Sequence, residues 1–400
     1  MQDFPFNIKD VAYLLNLHIR HKNTVSLDAD CPFCGDRKGK LNLNLKKNVF
    51  KCNRCGESGG MLALYGKIYG VDNQMACKEI KDALGRNEKA PSYQVTYKKV
   101  ESKEPEIENA PPASDEVKHR TYSMLFSLLI LAETHKKNLL ERGFSEDKIE
   151  ENGYKSTPVF GFKKLTSKLI AAGCTVKGVP GFYLDEDGEW TVYFNPKSAG
   201  YMIPVRNIDG LIVGVQIRLD HPYDGRKYIW LSSVNFPMGV SSGSPVHLAG
   251  EPGAKVVFVT EGPLKGDLSH FLSGRTFGCV PGANQYANLA PFLEAMKALG
   301  TEFIYEAYDM DKLLKPVCKG DYNEKCHYCE NFRKDWRNNV IPCEKKQLKR
   351  KNIQRGCSKL AGICRTLELP GKSLTWDLDI EGDWAEHVKG VDDYLCSLNK

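Results

Sequence analysis

The spacing of apolar positions changes period repeatedly along this chain, and the clearest alternation lies between residues 255 and 311. Lys255-Val-Val-Phe-Val-Thr-Glu261-Gly262 is a β-branched run that closes on a carboxylate and a glycine, which predicts a buried strand opening into a turn. A helix is expected over 264–273, a second strand over 276–280 ended by Pro281-Gly282-Ala283-Asn284, a helix over 286–299 and a third strand over 302–308. That strand runs into Asp309-Met310-Asp311. Strands alternating with helices of this length imply right-handed parallel crossovers, and such sheets gather the carboxyl ends of their strands at one ligand-binding edge. Glu261, Asp309 and Asp311 should therefore meet. Carboxylates that converge repel each other unless a cation lies between them, so the edge is read as a Mg2+ or Mn2+ site.

The same reading divides the rest of the chain. Residues 1–88 form a first module with a short helical pattern at 8–15, an alternating strand at 40–45 and a run at 49–51. Residues 89–115 turn polar and lose all apolar period, which predicts a flexible linker. Helical patterns follow at 117–133 and 135–142, with Ser145 as the cap of another helix. Beyond Pro180 the pattern becomes strand-rich. Residues 201–206 and 211–218 read as a hairpin closed by Asp209-Gly210, continued by Arg226-Lys227-Tyr228. A fourth strand of the 251–400 region is expected at 373–377, after an insertion at 313–358.

Composition narrows the class. The 400 residues are 42% hydrophobic, enough for two or three cores, and no apolar run reaches membrane-spanning length. The first residues make no signal peptide, so a soluble cytoplasmic protein is expected. Fourteen cysteines without an export signal then favour metal over disulfides. Cys31-x2-Cys34 and Cys52-x2-Cys55, on either side of a hairpin, match a tetrahedral zinc ribbon. In the insertion, Cys318, Cys326, Cys329 and Cys343 can make a second zinc site, with His327 or Cys357 as alternative ligands.

Net charge is only +6, but residues 312–359 hold fourteen Lys/Arg against five Asp/Glu, while 376–400 hold two against seven. A basic block beside an acidic metal edge suits a polyanion. Lys345-Lys-Gln-Leu-Lys-Arg-Lys351 is expected to start a helix whose basic face touches nucleic acid. Gly371-Lys372-Ser373 lacks the glycine and the following helix that a P-loop needs, so no helicase motor is expected.

These motifs carry a resemblance. Residues 31–64, with Pro-Phe in the first knuckle and Gly-Gly after the second, resemble the CHC2-like zinc-binding domain of DnaG-type bacterial and phage primases. Cys34 stands where the bacterial enzymes usually have His. The Glu261-Gly262 strand end with Asp309 and Asp311 resembles a TOPRIM domain, and residues 201–228 resemble the amino-terminal half of the primase RNA-polymerase domain. The fold so implied is multidomain α+β and α/β: a zinc ribbon at 1–88, a mixed α/β primase core at 116–250, and a Rossmann-like parallel TOPRIM sheet at 251–400 interrupted by the cysteine-rich insertion.

The resemblance also implies roles. Arg206, Arg218 and Lys227 would bind nucleotide phosphates or template. Asp392 would be a further metal-side carboxylate, with Asp377, Asp379 and Asp393 as rivals. Lys265 stands where the family usually has Asp, which adds a phosphate contact and removes a metal ligand. Arg37, Lys38, Lys40, Lys46, Lys47, Lys51 and Arg54 would help hold a single strand, and Phe33 and Phe50 either stack on bases or fill the ribbon's core.

The implied activity is synthesis of short RNA primers on single-stranded DNA from NTPs, using zinc and Mg2+ or Mn2+. Glu261, Asp309 and Asp311 would be the catalytic residues. A replicative helicase would be encoded separately, as in a phage, plasmid or other mobile element, because nothing after the TOPRIM region resembles a helicase-binding domain. The alternatives are a TOPRIM-type nuclease and a non-catalytic single-strand-binding replication factor; a topoisomerase would need a tyrosine-bearing strand-passage region.

Overall fold

The computed structural model describes residues 4–84, 108–194, 198–223, 226–320, 322, 326, 329, 341–384 and 388–399. Most of the expected linker, 89–107, lies outside the described residues. The chain divides into two compact units, Met1–Lys103 and Glu104–Lys400.

The first unit opens with α1 (Ile8–Leu14), started by a capping box in which Asn7 and Asp10 accept from each other's backbone N–H. Five antiparallel strands follow in chain order: β1 (Ile19–Lys22), β2 (Ser26–Cys31), β3 (Asp36–Asn44), β4 (Val49–Cys52) and β5 (Ser58–Gly60). Period-two alternation turns Leu27, Ala29, Leu41, Leu43 and Phe50 inward. The helices α2 (Met61–Tyr69) and α3 (Asn73–Ala83) complete the unit.

The second unit begins with α4 (Asp115–Ser127), α5 (Glu133–Glu141), α6 (Glu146–Asn152), β6 (Lys155–Ser156), α7 (Phe162–Ala171) and the hairpin of β7 (Phe182–Leu184) with β8 (Trp190–Val192). Ser145 caps α6 as expected, accepting from Lys148 N. The strands β9 (Gly200–Arg206), β10 (Ile212–Tyr223) and β11 (Arg226–Trp230) form an antiparallel sheet with β6, in the order β11-β10-β9-β6.

Then come β12 (His247–Ala249), β13 (Val256–Glu261), α8 (Pro263–Ser273), β14 (Thr276–Val280), α9 (Leu289–Ala298), β15 (Phe303–Glu306), α10 (Glu344–Thr366), β16 (Gly371–Ser373) and α11 (Val391–Leu398). Their sheet has the order β12-β14-β13-β15-β16, in which β14, β13, β15 and β16 are parallel and β12 is an antiparallel edge. One face packs Val257, Val259, Leu293, Ile304 and Leu360 under α9 and α10. The other packs Phe258, Phe277, Cys279 and Val391, with α8 and α11 above it.

Two expectations shift. The fourth strand starts two residues and ends four residues before the expected 373–377, and residues 374–376 instead carry Trp376 into the core, where its indole N–H donates to Val388 O at 2.7 Å. The expected boundary at 250/251 falls inside the packing: β12 joins the parallel sheet, and Leu139, Tyr154, Tyr201 and Ile203 share a core with Leu264 and Leu268 of α8. Among the described residues no helix is long and apolar enough to cross a membrane.

Candidate metal centres and nucleic-acid interface

In the first unit the two knuckles bring four sulfurs together. Cys31 Sγ lies 3.9 Å from Cys55 Sγ and Cys34 Sγ 3.9 Å from Cys52 Sγ, and all four fall within 4.8 Å of one another. A tetrahedron of Zn–S bonds near 2.3 Å has edges of about 3.8 Å, so the set fits a structural zinc ion. Backbone N–H groups of Arg54 and Cys55 point at Cys52 Sγ, at 3.4 and 3.5 Å.

The buried Asp36 accepts from Lys38 N, Lys40 N and Arg54, fixing the turn beside the site. Phe50 belongs to the core and Phe33 stacks on it, with ring centroids 5.6 Å apart. Arg37, Lys38, Lys46, Lys47 and Lys51 remain exposed around them.

In the second unit, parallel pairing sets the strand ends side by side. Glu261 ends β13, and Asp309 and Asp311 follow β15 by a few residues at the same edge. Gly262 takes φ +86° so that the chain can turn directly into α8, and its N–H donates to Val280 O at 2.7 Å. Glu261 Oε2 accepts from Ala283 N at 3.1 Å. Burial, and then the charge of Asp309, push Glu261 above the usual carboxylate range. Met310 N donates to Lys389 O at 3.0 Å, which draws the 388–393 segment to the same edge. There Asp392 is 3% exposed, while its rivals Asp377, Asp379 and Asp393 are exposed and cap turns or face water.

Four cations that the acidic pattern did not announce complete the edge. Lys265 donates to Asp309 Oδ1, Lys389 reaches Asp309 Oδ2 at 3.2 Å and Asp311 Oδ2 at 2.7 Å, Lys349 of α10 reaches Asp311 Oδ2 at 2.9 Å, and Arg142 reaches Asp392 Oδ2 at 3.3 Å. Burial alone would raise Asp309, but Lys265 and Lys389 outweigh it and hold the group below its ordinary value. Burial likewise opposes the charge on Lys265, and Asp309, Asp392 and Glu261 together raise it.

The donor set is the hard-oxygen chemistry that Mg2+ or Mn2+ takes, and Asp392 Oδ1 is buried without a hydrogen-bond partner. Lys389 and Lys349 are about a third exposed and can turn to water to free Asp309 and Asp311 for an ion. As placed among the described residues, no three of these carboxylates bring ligand atoms within 4.8 Å of one another, so the edge takes a divalent cation only once Lys389 and Lys349 have turned away. Lys349 also alters the expectation for the basic helix: it faces inward to Asp311, and Lys346 is 8% exposed.

The expected phosphate binders do not form one group. Arg206 pairs across the hairpin with Ile212, near its turn, whereas Arg218 pairs with Tyr201 at the far end. Five residues of strand separate the two rows, about 17 Å. Arg218 donates to Tyr228 Oη at 3.0 Å and lies over the Tyr201 and Tyr228 rings, and Lys227 beside it is exposed. Arg206 instead donates its backbone N–H to His247 Nδ1 at 2.9 Å.

Of the insertion cysteines, the Val317–Pro342 bridge sets Cys318 beside Cys343, and Cys329 N donates to Cys326 O at 3.0 Å. Among the described residues the ribbon cysteines are nonetheless the one set of three or more His, Cys, Asp or Glu with ligand atoms all within 4.8 Å of each other. His327 lies outside the described residues. Cys357 faces Glu306, and burial pushes its thiol up to about 12.

Comparison with known proteins agrees with the sequence resemblance. Residues 6–94 match the CHC2 zinc finger family. The chain is 26% identical over 227 residues to a DNA primase of Lactococcus lactis, covering 56% of this chain and 32% of that protein, so it spans about a third of that curated relative. Among solved structures it is similar to the zinc-binding and RNA polymerase domains of the Aquifex aeolicus primase, with TM-score 0.37 and 16% identity over 90% of this chain and 88% of that one. It is also similar to the RNA polymerase domain of the Mycobacterium tuberculosis primase DnaG in complex with double-stranded DNA, with TM-score 0.40 and 17% identity over 53% and 70% of the two chains.

Proposed function

We propose that this chain is a DNA primase that builds short RNA primers on single-stranded DNA, with its parallel sheet acting as a TOPRIM domain. The observation that carries the reading is the meeting of Glu261, Asp309, Asp311 and Asp392 at one sheet edge, in a chain whose other unit holds a four-cysteine CHC2 ribbon.

In this reading Glu261, Asp309 and Asp311 hold Mg2+ or Mn2+, which when bound supplies charge for the α-phosphate and the departing pyrophosphate. Glu261 accepts the proton of the primer 3′-hydroxyl as the new bond to phosphorus forms. Arg218 and Lys227 take phosphates of the NTP or template, Arg as a two-pronged donor and Lys as a point charge. Lys389 and Lys349, released from Asp309 and Asp311, are left to meet the triphosphate. The ribbon's exposed Arg37, Lys38, Lys46, Lys47 and Lys51 hold the template strand by its phosphates. The cysteine set Cys318, Cys326, Cys329 and Cys343 is proposed to close around a second zinc that staples the insertion.

The lysines on Asp309 and Asp311 favour one second reading, a single-strand-binding factor whose edge is neutralised from within and performs no chemistry. Incubation of the full chain with unprimed single-stranded DNA, NTPs and Mg2+ or Mn2+ separates the readings. New RNA that disappears with Asp309→Asn supports priming. DNA bound without any product supports the binding factor, and shortened DNA a nuclease.

A further inference from the structure

Three hairpins of the second unit turn in the same way, and one of them leaves an apolar side chain in water. At Asp185, Asn207 and Asp379 the side-chain oxygen accepts from the backbone N–H groups two and four residues on, and the first and fifth residues of each turn pair through their backbones. Gly188, Gly210 and Gly382 supply the left-handed residue that each turn needs, at φ +75°, +74° and +73°. The second residue occupies the same place in all three. It is the polar Glu186 in the first turn and Ile208 in the second, where it packs against the core of the parallel sheet. In the third it is Ile380, which is fully exposed.

The fold thus covers one isoleucine of this turn and leaves the other bare. Single apolar side chains on a surface are ordinary, but Ile380 is not single. Leu378 of the same hairpin is 42% exposed, and Asp377, Asp379, Glu381 and Asp383 alternate with the two. The hairpin is also held in shape: Leu378 bridges to Trp384, and Lys315 donates to Asp383 Oδ2 at 2.9 Å and to Glu381 O at 3.2 Å. The result is a fixed acidic knob with an aliphatic tip.

A hollow of opposite character lies a few residues back along the chain. Between α10 and the sheet edge at β16 is an open cavity of about 500 Å³, with Ile304, Leu360, Cys364 and Leu369 as its floor. Arg365 and Lys372, both exposed, stand in its wall, and the acid among its lining residues, Glu306, is already paired with Lys312 at 3.0 Å. An apolar floor with cations at the rim complements an aliphatic tip set among carboxylates. From Ser373, which lines the cavity, to Ile380 is seven residues, at most about 25 Å of extended chain. An interface of standard size covers about 800 Å² of each partner and is roughly 30 Å across, so one contact can hold a knob and a hollow from each copy.

We infer that the occupant of this cavity is Ile380 of a second copy of this chain, the two copies exchanging knobs about a two-fold axis. None of the residues proposed for catalysis or template binding takes part. The aliphatic tip supplies the affinity, and the exposed acids and cations steer its approach, so salt weakens the association only modestly.

Sedimentation velocity of the full chain with its zinc, over about 1–100 µM, should show a monomer and dimer in equilibrium. Ile380→Ser changes only an exposed side chain and should weaken the dimer at least about 10-fold; Ala361→Glu, which sets an acid in the cavity wall, should do the same. With photoreactive benzoylphenylalanine in place of Ile380, irradiation of an equal mixture of isotope-labelled and unlabelled protein should join that position in one copy to α10 or β16 of the other. A monomer at every concentration overturns the inference, and uptake of an apolar dye by that monomer, lost in Ala361→Glu, gives the cavity a different occupant. A dimer that keeps its affinity in Ile380→Ser, or whose crosslinks land elsewhere, overturns it as well. If Ala361→Glu does not fold, Ile380→Ser and the crosslink decide.

Discussion

Gly266→Ala probes how closely α8 is pressed against the sheet that carries the acids. In an exposed helix interior this change is stabilising by about 0.5–1 kcal/mol, because Gly loses more backbone freedom on folding. Here the new methyl carbon would stand 2.0 Å from Cys279 Sγ, a separation no pair of non-bonded atoms tolerates, and Cys279 is fully buried. The buried sulfur, the helix or the strand must shift, and overpacking of this sort costs about 1–3 kcal/mol.

The net effect is therefore a loss of roughly 1–2 kcal/mol. Cys279→Ala removes the sulfur and leaves the Cys279 Cβ position 3.5 Å from the new methyl, ordinary contact. In that background Gly266→Ala should become neutral or stabilising, giving a coupling of about 2 kcal/mol between the two sites. All five tryptophans lie beyond residue 189, so their fluorescence during urea unfolding follows the second unit of the full chain alone. Additive effects, with coupling under about 0.5 kcal/mol, would refute the close approach of α8 to β14.

Removing zinc with a chelator should unfold residues 4–84, since four thiolates are the heaviest buried investment of that small unit, while tryptophan fluorescence stays unchanged; circular dichroism and limited proteolysis read the difference. Glu306→Ala should destabilise the second unit by about 3–5 kcal/mol, because Lys312, 5% exposed and 3.0 Å from Glu306, is left charged and buried, and adding Lys312→Met should recover most of the loss in a urea titration. Asp185 is held below its ordinary value by Lys163 first and by the backbone N–H groups of Glu189 and Asp187. Its folded pKa is the lower one, so this tie between α7 and the β7–β8 hairpin stabilises above the unfolded value of about 4 and fades as pH falls through the folded value. A carbon-detected NMR titration should place the Asp185 midpoint below that of an exposed aspartate and move it upward in Lys163→Met.

Elements whose cause is local were legible without coordinates. The ribbon follows from cysteine spacing, the β13–α8–β14 crossover from the switch of apolar period, and the Ser145 cap from a single hydroxyl ahead of a helical run. The meeting of Glu261 with Asp309 follows from parallel connectivity alone, because right-handed crossovers leave the strands no other edge to share. The fourth strand was placed too late in the chain because the apolar Leu374 and Trp376 that suggested it belong to a loop packed into the core. Neither Arg142, far upstream, nor Lys349, on a helix read as facing nucleic acid, carries any local mark of its acidic partner.

What tertiary structure decided is the sign of the edge. The order of residues determined where carboxylates gather, since strand direction and register are short-range consequences of period and turn chemistry. Only packing determined which cations reach them, and how freely each can leave. An ammonium on a flexible stem has no preferred partner until burial removes water as the competitor, and burial is set by neighbours tens of residues or more away along the chain.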